Sequence, residues 1–271
     1  MLQTLSSKID EIQNAMCKLP QQECSVVHHF APGLYIREVR IPADTIAIGH
    51  YQKFSHLNIF IKGIVSIVNA DESITRLEAP MIFTGGPGRK VGYIHSDVIW
   101  LNVYPTSEQD ITILESMFIE KTDTAPSVMC SDLVESAKID YTELINELGV
   151  TEEHVQEQVQ NIEDQMALPY GAYKFCVSDS PIHGKGVFAT GSIPQGEVIG
   201  PARIGGKRTP LGRYTNHSNA PNAKMVFFED DIILVATKDI PGCAGGVLGE
   251  EIVVDYRDSI KLVTGGHLCL R

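Results

Sequence analysis

Residues 25–119 leave no room for helices between their strands. The runs IREVRIPADTIAIGHY, LNIFIKGIVSIV, ITRLEAPMIF, KVGYI and VIWLNVY follow one another with short breaks of Gly, Pro, Asn and Asp. β-Branched and aromatic residues at this density suit the pleated, half-buried surface of a strand. Parallel strands need crossovers of about a dozen residues or more. This stretch therefore predicts an antiparallel sheet, closed as a barrel or stacked as a sandwich.

The remainder divides by pattern. Leu2, Leu5, Ile9, Ile12, Met16 and Leu19 alternate at steps of three and four, which predicts an amphipathic helix within 1–24. It packs on its own domain or joins copies of the chain into a homo-oligomer. Residues 120–170 change to helical spacing and read as a connector. Asp140 and Glu143 have the spacing of a capping box, Gly149 suits a C-terminal stop, and Thr151 suits an N-cap ahead of Glu152 and Glu153. Val155, Val159, Ile162 and Met166 predict one apolar stripe ending before Pro169. Residues 171–271 return to short strands and Gly-rich turns, so the chain as a whole is expected to be mostly β.

Charge excludes several functions. The chain holds 22 Lys and Arg against 34 Asp and Glu, and residues 120–169 alone contribute a net charge of -10. Nucleic acids and anionic membranes are held by clustered Lys and Arg, so neither is an expected partner. The acidic stretch reads as a solvated helix face, with a docking patch for a basic partner as the alternative. The six cysteines are scattered without a Cys-x-x-Cys pair, which points to reduced thiols. No apolar run reaches the roughly 20 residues that span a bilayer, and MLQTLSSKIDEIQ lacks a signal-peptide pattern. A cytoplasmic protein is the expectation.

Three C-terminal segments carry chemistry: HGKGVFA (183–189), RYTNHSNAPN (213–222) and GEEIVVDY (249–256). Singly they are a tight turn, a polar loop and a turn entering a strand. In this order and spacing they resemble the SET domain, the family of S-adenosylmethionine-dependent protein lysine methyltransferases. The resemblance covers residues 171–264. It implies a β fold with a pseudoknot, in which the last segment passes through a loop of the preceding chain and gathers Asn216, His217 and Tyr256.

It also implies roles. Tyr256 matches the catalytic tyrosine, whose hydroxyl orients the target lysine nitrogen. Gly184, Lys185 and Gly186 match the turn that holds the methionine part of S-adenosylmethionine. Arg213, Tyr214, Asn216 and His217 match the cofactor loop, Asn222 supports it, and Glu250 and Asp255 are structural. The implied partner is a protein with an exposed lysine. There are departures. Tyr214 stands where the family has Phe, and Asn219 where it often has Cys. Residues 201–212 form a very short insert that lacks a second active-site tyrosine, and no Cys-rich cluster follows Tyr256. His267, Leu268 and Cys269 are left to cover the adenine. Arg257 and Asp258 follow Tyr256 where aromatic residues often limit methyl number.

Segment 49–63, GHYQKFSHLNIFIKG, resembles the first motif of the cupin family and implies a cupin-like barrel for 25–119. His50, Gln52 and His56 fall at its His, His and Glu ligand positions. The second motif, GGPGRKVGYIH, has Arg89 or Lys90 where the family has histidine, with His95 further on. Gln is a poor ligand, so His50 and His56 are weak metal candidates and no bound metal is the expectation. Two readings compete with the methyltransferase: a non-catalytic assembly or cofactor-binding protein, and a cupin metalloenzyme.

Overall fold

The computed structural model describes residues 5–69, 71–120 and 131–263. Leu2, Cys130, His267, Leu268 and Cys269 lie outside the described residues. The chain forms two compact units. Unit 1 takes the chain to residue 126 with 170–172 and 242–248; unit 2 takes 127–169, 173–241 and the chain from 249. The two helices of the expected connector thus group with unit 2. Among the described residues, no helix is long and apolar enough to cross a membrane.

Unit 1 begins with α1 (Leu5–Met16). Its apolar seam is only partly covered: Ile9 is buried, Ile12 is exposed, and Leu19 lies beyond the helix end. Ion pairs Lys8–Glu72 and Arg89–Asp10 tie the polar flanks to the sheet. The strands are β1 (Val26–Ala31), β2 (Leu34–Ile41), β3 (Thr45–Ile48), β4 (Tyr51–Gln52), β5 (His56–Val68), β6 (Ile74–Glu78), β7 (Met81–Gly85) and β8 (Val91–Pro105). A short helix, α2 (Ile111–Phe118), follows, then β9 (Ile119–Glu120) and β10 (Gly171–Tyr173). Asp110 caps α2 by accepting from the amides of Thr112 and Ile113, a helix that the strand pattern did not predict.

The main sheet has eight strands in the order β10-β1-β2-β8-β5-β6, with β3 also on β8 and β7 also on β5. The pairings among β1–β8 are all antiparallel, as expected. The sheet bends where β5 slips register against β8 between Phe60 and Val65. Gly63 sits in that bulge at φ +105, and a Cβ there would lie 2.5 Å from the Asp97 carbonyl. Phe60, Val65, Ile94 and Val98 pack beneath it as a core. The expected barrel is not closed among the described residues. The outer side of β5 is filled by two short strands, β7 at 56–60 and β6 at 64–68, so the sheet ends on β6 without returning to β1 or β10.

Unit 2 opens with α3 (Ser131–Leu148) and α4 (Glu152–Gln160). Asp140 lies in the middle of α3 and starts no helix, because nothing in 131–139 interrupts helical spacing. Gly149 does end the helix, at φ +64, where Val150 N–H reaches the Ile145 carbonyl at 3.0 Å. Thr151 caps α4 through the His154 amide. Asn161 ends α4 early and caps a 3-10 turn at Ile162–Asp164; Ile162 is 76% exposed, so the stripe does not run on to Met166.

The strands and helices that follow are β11 (Phe175–Asp179), β12 (Lys185–Ala189), β13 (Val198–Ile204), β14 (Lys207–Arg208), α5 (Pro210–Tyr214), β15 (Asn216–His217), β16 (Ala223–Phe228), β17 (Asp231–Ala236), β18 (Glu251–Val254) and α6 (Tyr256–Val263). They make two four-stranded sheets, β11-β12-β18-β15 and β14-β13-β17-β16. β18 is buried along its whole length, and β15 runs parallel to it, pairing Asn216 with Val253 and His217 with Val254.

Candidate functional site

In unit 2 the hairpin between β11 and β12 sets the first part of the site. Ser180 N–H reaches the Gly184 carbonyl at 2.9 Å and closes the turn. Gly184 has φ +49, and a Cβ there would meet nothing within 4 Å. Gly186 is a glycine for another reason: a Cβ would strike Glu251 Oε1 and lie 2.8 Å from Glu251 Cδ. Glu251 is fully buried on β18. Burial pushes its carboxyl above the usual range, against hydrogen bonds from Asn216 and Ser180.

Asn216 fastens this turn to the central strand. Its Nδ2 donates to Glu251 Oε1 at 2.8 Å and to the carbonyls of Lys185 at 3.1 Å and His183 at 3.2 Å. Asn222, also fully buried, spans Glu250 Oε1, the Glu251 carbonyl and Val253 N–H. His217 comes next and is 2% exposed. Its Nδ1 accepts from Tyr256 N–H at 3.1 Å, so Nε2 carries the proton and donates to Asp140 Oδ2 at 2.7 Å. Burial would raise Asp140, but hydrogen bonds from Arg257 and His217 outweigh it and hold the carboxyl below its ordinary range.

Tyr256 is the first residue of α6, a half-buried ring whose hydroxyl donates to the Thr215 carbonyl at 2.9 Å. Burial pushes its phenol upward. Its ring lies 5.2 Å from His217 and 6.3 Å, edge-on, from Tyr141. The Gly184–Gly186 turn, Asn216, His217 and Tyr256 therefore converge. Arg213 and Tyr214 point elsewhere: Arg213 donates to the Val159 carbonyl and stacks on Tyr214 at 5.7 Å. The Lys185 ammonium pairs with Asp179 at the surface.

Sequence reasoning missed Tyr141 and took Asp140 for a helix cap rather than the partner of His217. Both come from α3, between the buried Ala137 and Leu144 on one helical face. Tyr141 also lies 6.1 Å from His183 and donates to Glu152 at 3.2 Å; burial, then Glu152, pushes its phenol up to about 12. The heptad spacing of Ala137 and Leu144 was the available signal. Beside this cluster, a shallow hollow of about 370 Å³ runs past Asp132, Glu135, Asp140, Glu143 and Asn219.

Unit 1 has a second polar cluster, on the inner face of its sheet. His28, Arg37, Asn102 and Asn58 are successive cross-strand partners on β1, β2, β8 and β5. Asn58 is 1% exposed, and its Oδ1 accepts from Trp100 Nε1 and Asn102 Nδ2, both at 2.8 Å. His56 is buried, with Nδ1 donating to the Phe54 carbonyl at 3.1 Å and Nε2 accepting from Asn102 at 3.3 Å. Burial, with the Lys90 charge adding to it, lowers His56. Gln52 accepts from Tyr104 at 2.7 Å. His50 is half-buried on the link from β3 to β4, and His95 is on the exposed part of β8, against Ser66.

This donor set does not suit a metal. Both nitrogens of His56 are engaged, and a lysine ammonium approaches it. Among the described residues no group of three or more His, Cys, Asp or Glu gathers around any point.

No protein-family model matches the chain, and no curated protein matches it. Solved structures are similar to part of it. A cupin domain from Bordetella pertussis is 8% identical over 33% of this chain and 99% of its own, with a TM-score of 0.27. A cupin-2 domain-containing protein from Shewanella frigidimarina is 11% identical over 37% of this chain and 98% of its own, at 0.26. An RmlC-like cupin family protein from Methanocaldococcus jannaschii, of double-stranded β-helix fold, is 16% identical over 31% and 83%, at 0.26.

Proposed function

We propose that unit 2 is a SET-type domain that transfers a methyl group from S-adenosylmethionine to the side-chain amine of a protein lysine. One observation carries this reading. Segments separated by more than thirty residues meet through the Asn216 side chain, which bonds both the glycine turn and Glu251, while Tyr256 binds Thr215 one residue before it.

The chemistry follows from the residues. Methyl transfer needs an uncharged amine in line with the methyl group, whereas a free lysine has a pKa of about 10.4. An apolar approach lined by Tyr256 and Tyr141 would disfavour the ammonium. The Tyr256 oxygen and the Thr215 carbonyl would favour a partly positive methyl through weak C–H···O contacts. Alignment of the two reactants supplies the rest; well-oriented systems gain on the order of 7–11 kcal/mol this way.

Bound S-adenosylmethionine would supply the electrophilic methyl group. The space beside Gly184 would leave room for such a ligand, and because the carbonyls of 183–185 and the side chains of Asn216 and His217 are already engaged, it would be held through main-chain N–H groups of the turn. The acidic hollow along α3 suits a basic segment bearing the lysine. On this reading the protein acts in the cytoplasm on a protein substrate, not on nucleic acid or a membrane. Self-association through α1 would cover Ile12. Unit 1 is read, from its own motif, as a cupin-like binding module without a metal.

Calorimetric titration of the full chain with S-adenosylmethionine, followed by radiolabelled transfer into lysate proteins, tests this. Binding and transfer are expected. Tyr256→Phe should keep its circular dichroism and its affinity for S-adenosylmethionine yet lose transfer by on the order of 100-fold. Absence of binding overturns the reading. Binding without transfer favours the cofactor-holding assembly protein instead.

A further inference from the structure

Two cysteines 219 residues apart along the chain face each other in unit 1. Glu23 and Ala244 form an antiparallel bridge, and one residue on, Cys24 N–H donates to the Cys243 carbonyl at 3.0 Å. Cys24 and Cys243 therefore stand directly opposite each other across this short ladder. Hydrogen-bonded opposite residues have Cα atoms about 5.5 Å apart and side chains on one face. A disulfide spans Cα separations of about 4.4–6.8 Å. The Cys243 thiol already leans across the ladder and donates to the Cys24 carbonyl at 3.1 Å.

Both sides of the ladder are held in place. Ala244 and Val247 exchange backbone hydrogen bonds at 2.9 and 3.1 Å around Gly245 and Gly246, which have φ +58 and +80. A two-residue hairpin turn with two positive φ values needs such glycines, and it fixes the strand that bears Cys243. Gln21 packs on that turn, and its Nε2 donates to the carbonyls of Met16 and Leu19, both at 2.7 Å. Cys24 and Cys243 are both thiols and half-buried. Burial raises both; at Cys243 the Arg37 charge opposes it, and the Cys24 sulfur, near enough to act as a charge, adds to it.

We propose that Cys24 and Cys243 are a redox pair, oxidised in the folded protein to one disulfide by a small-molecule disulfide such as oxidised glutathione. The Cys24 carbonyl holds the Cys243 hydrogen, so the first attack falls to Cys24. Its thiolate attacks one sulfur of the oxidant, forms a mixed disulfide and releases one glutathione thiolate, which takes up a proton. Cys243 then gives its proton to solvent, and its sulfur displaces the second glutathione from Cys24. Two protein thiols thus lose two electrons and two protons, and one glutathione disulfide becomes two glutathiones. Thiols held mostly protonated attack slowly and leave slowly, so the bond forms slowly and resists reduction. It would tie the chain just ahead of β1 to the hairpin that lies between β17 and β18 in sequence. The inference is independent of the methyltransferase reading of unit 2.

The full chain is reduced, freed of reductant and held folded, without air, at pH 8 in glutathione mixtures of rising oxidised fraction. Samples are quenched in acid, alkylated and digested, and the peptides are identified by mass spectrometry without reduction. A peptide pair joined through Cys24 and Cys243 is expected. In Cys243→Ser the reaction should stop at a glutathione adduct on Cys24. The oxidised wild type should melt roughly 5–10 °C above the reduced form, because so long a loop has been closed, and dithiothreitol should remove that difference. Cys24→Ser should show neither the link nor the rise. The proposal is overturned by no such link in excess oxidised glutathione, or by a link that forms only after urea is added. A link from either cysteine to another one instead, or an oxidised protein that melts at or below the reduced one, also overturns it.

Discussion

Gly184→Ala and Gly186→Ala change two residues of one turn and should differ sharply in cost. At Gly184 the new methyl meets nothing within 4 Å, and the penalty is the positive φ of +49. An alanine in that region costs roughly 1–2 kcal/mol, offset in part by about 0.4–1 kcal/mol from a stiffer unfolded chain. The net is about 1 kcal/mol. At Gly186 the methyl strikes Glu251 Oε1, with Glu251 Cδ at 2.8 Å and Ser180 Cβ at 2.9 Å. Glu251 is fully buried and cannot swing into solvent. Overpacking costs about 1–3 kcal/mol. Loss of a hydrogen bond to the buried carboxyl, from Ser180 or Asn216, adds about 1–2 kcal/mol.

The expected destabilisation at Gly186 is therefore about 2–5 kcal/mol, measured by urea unfolding followed by circular dichroism. In a Glu251→Ala background the main obstacle is gone, so the added cost of Gly186→Ala should fall by about 2 kcal/mol. Equal costs at the two glycines, or no coupling to Glu251, would refute the account of why this turn carries two glycines.

Two further outcomes follow from the shifted groups. Asp140→Asn should destabilise by about 1–2 kcal/mol near neutral pH through weaker bonds to His217 and Arg257. Because the folded carboxyl sits below its ordinary 3.8, that stability is present above 3.8 and is lost as pH falls through the folded value; denaturant curves against pH should show wild type and variant converging in acid. Burial pushes the Cys243 thiol up to about 11, so at pH 8 iodoacetamide should modify exposed Cys17 well before Cys243, by on the order of 100-fold in rate, as peptide mass spectrometry would record. Similar rates at the two cysteines would contradict that burial.

What could be read in advance follows from how local the determinant is. The antiparallel strands of 25–105, the Gly149 stop and the Thr151 cap each depend on a few neighbouring residues, and each could be read along the chain. Closure of the barrel could not, because it depends on which strand fills the outer side of β5. α3 was obscured by its own composition: many acidic residues suggest a solvated face, yet Asp140 and Tyr141 turn inward with Ala137 and Leu144. Arg213 and Tyr214 matched a motif by spacing, but their contacts are set by the early end of α4, which brings the Val159 carbonyl to Arg213.

The two polar clusters differ in a way that motifs do not express. Asn216, His217, Asn222 and Glu251 have partners for their buried polar groups, and those partners are other parts of the fold. Such residues hold segments together; a ligand there must rely on backbone groups and on Tyr256, because recruiting those side chains would break bonds already made. In unit 1, Asn58 is held at its oxygen by Trp100 and Asn102, and Lys90 and Arg37 are half-buried with no carboxylate partner among the described residues. A recognisable motif thus marks the framework in unit 2, whereas in unit 1 a departure from a motif, Arg89 or Lys90 in place of histidine, brings the Lys90 charge beside His56, where it disfavours a cation.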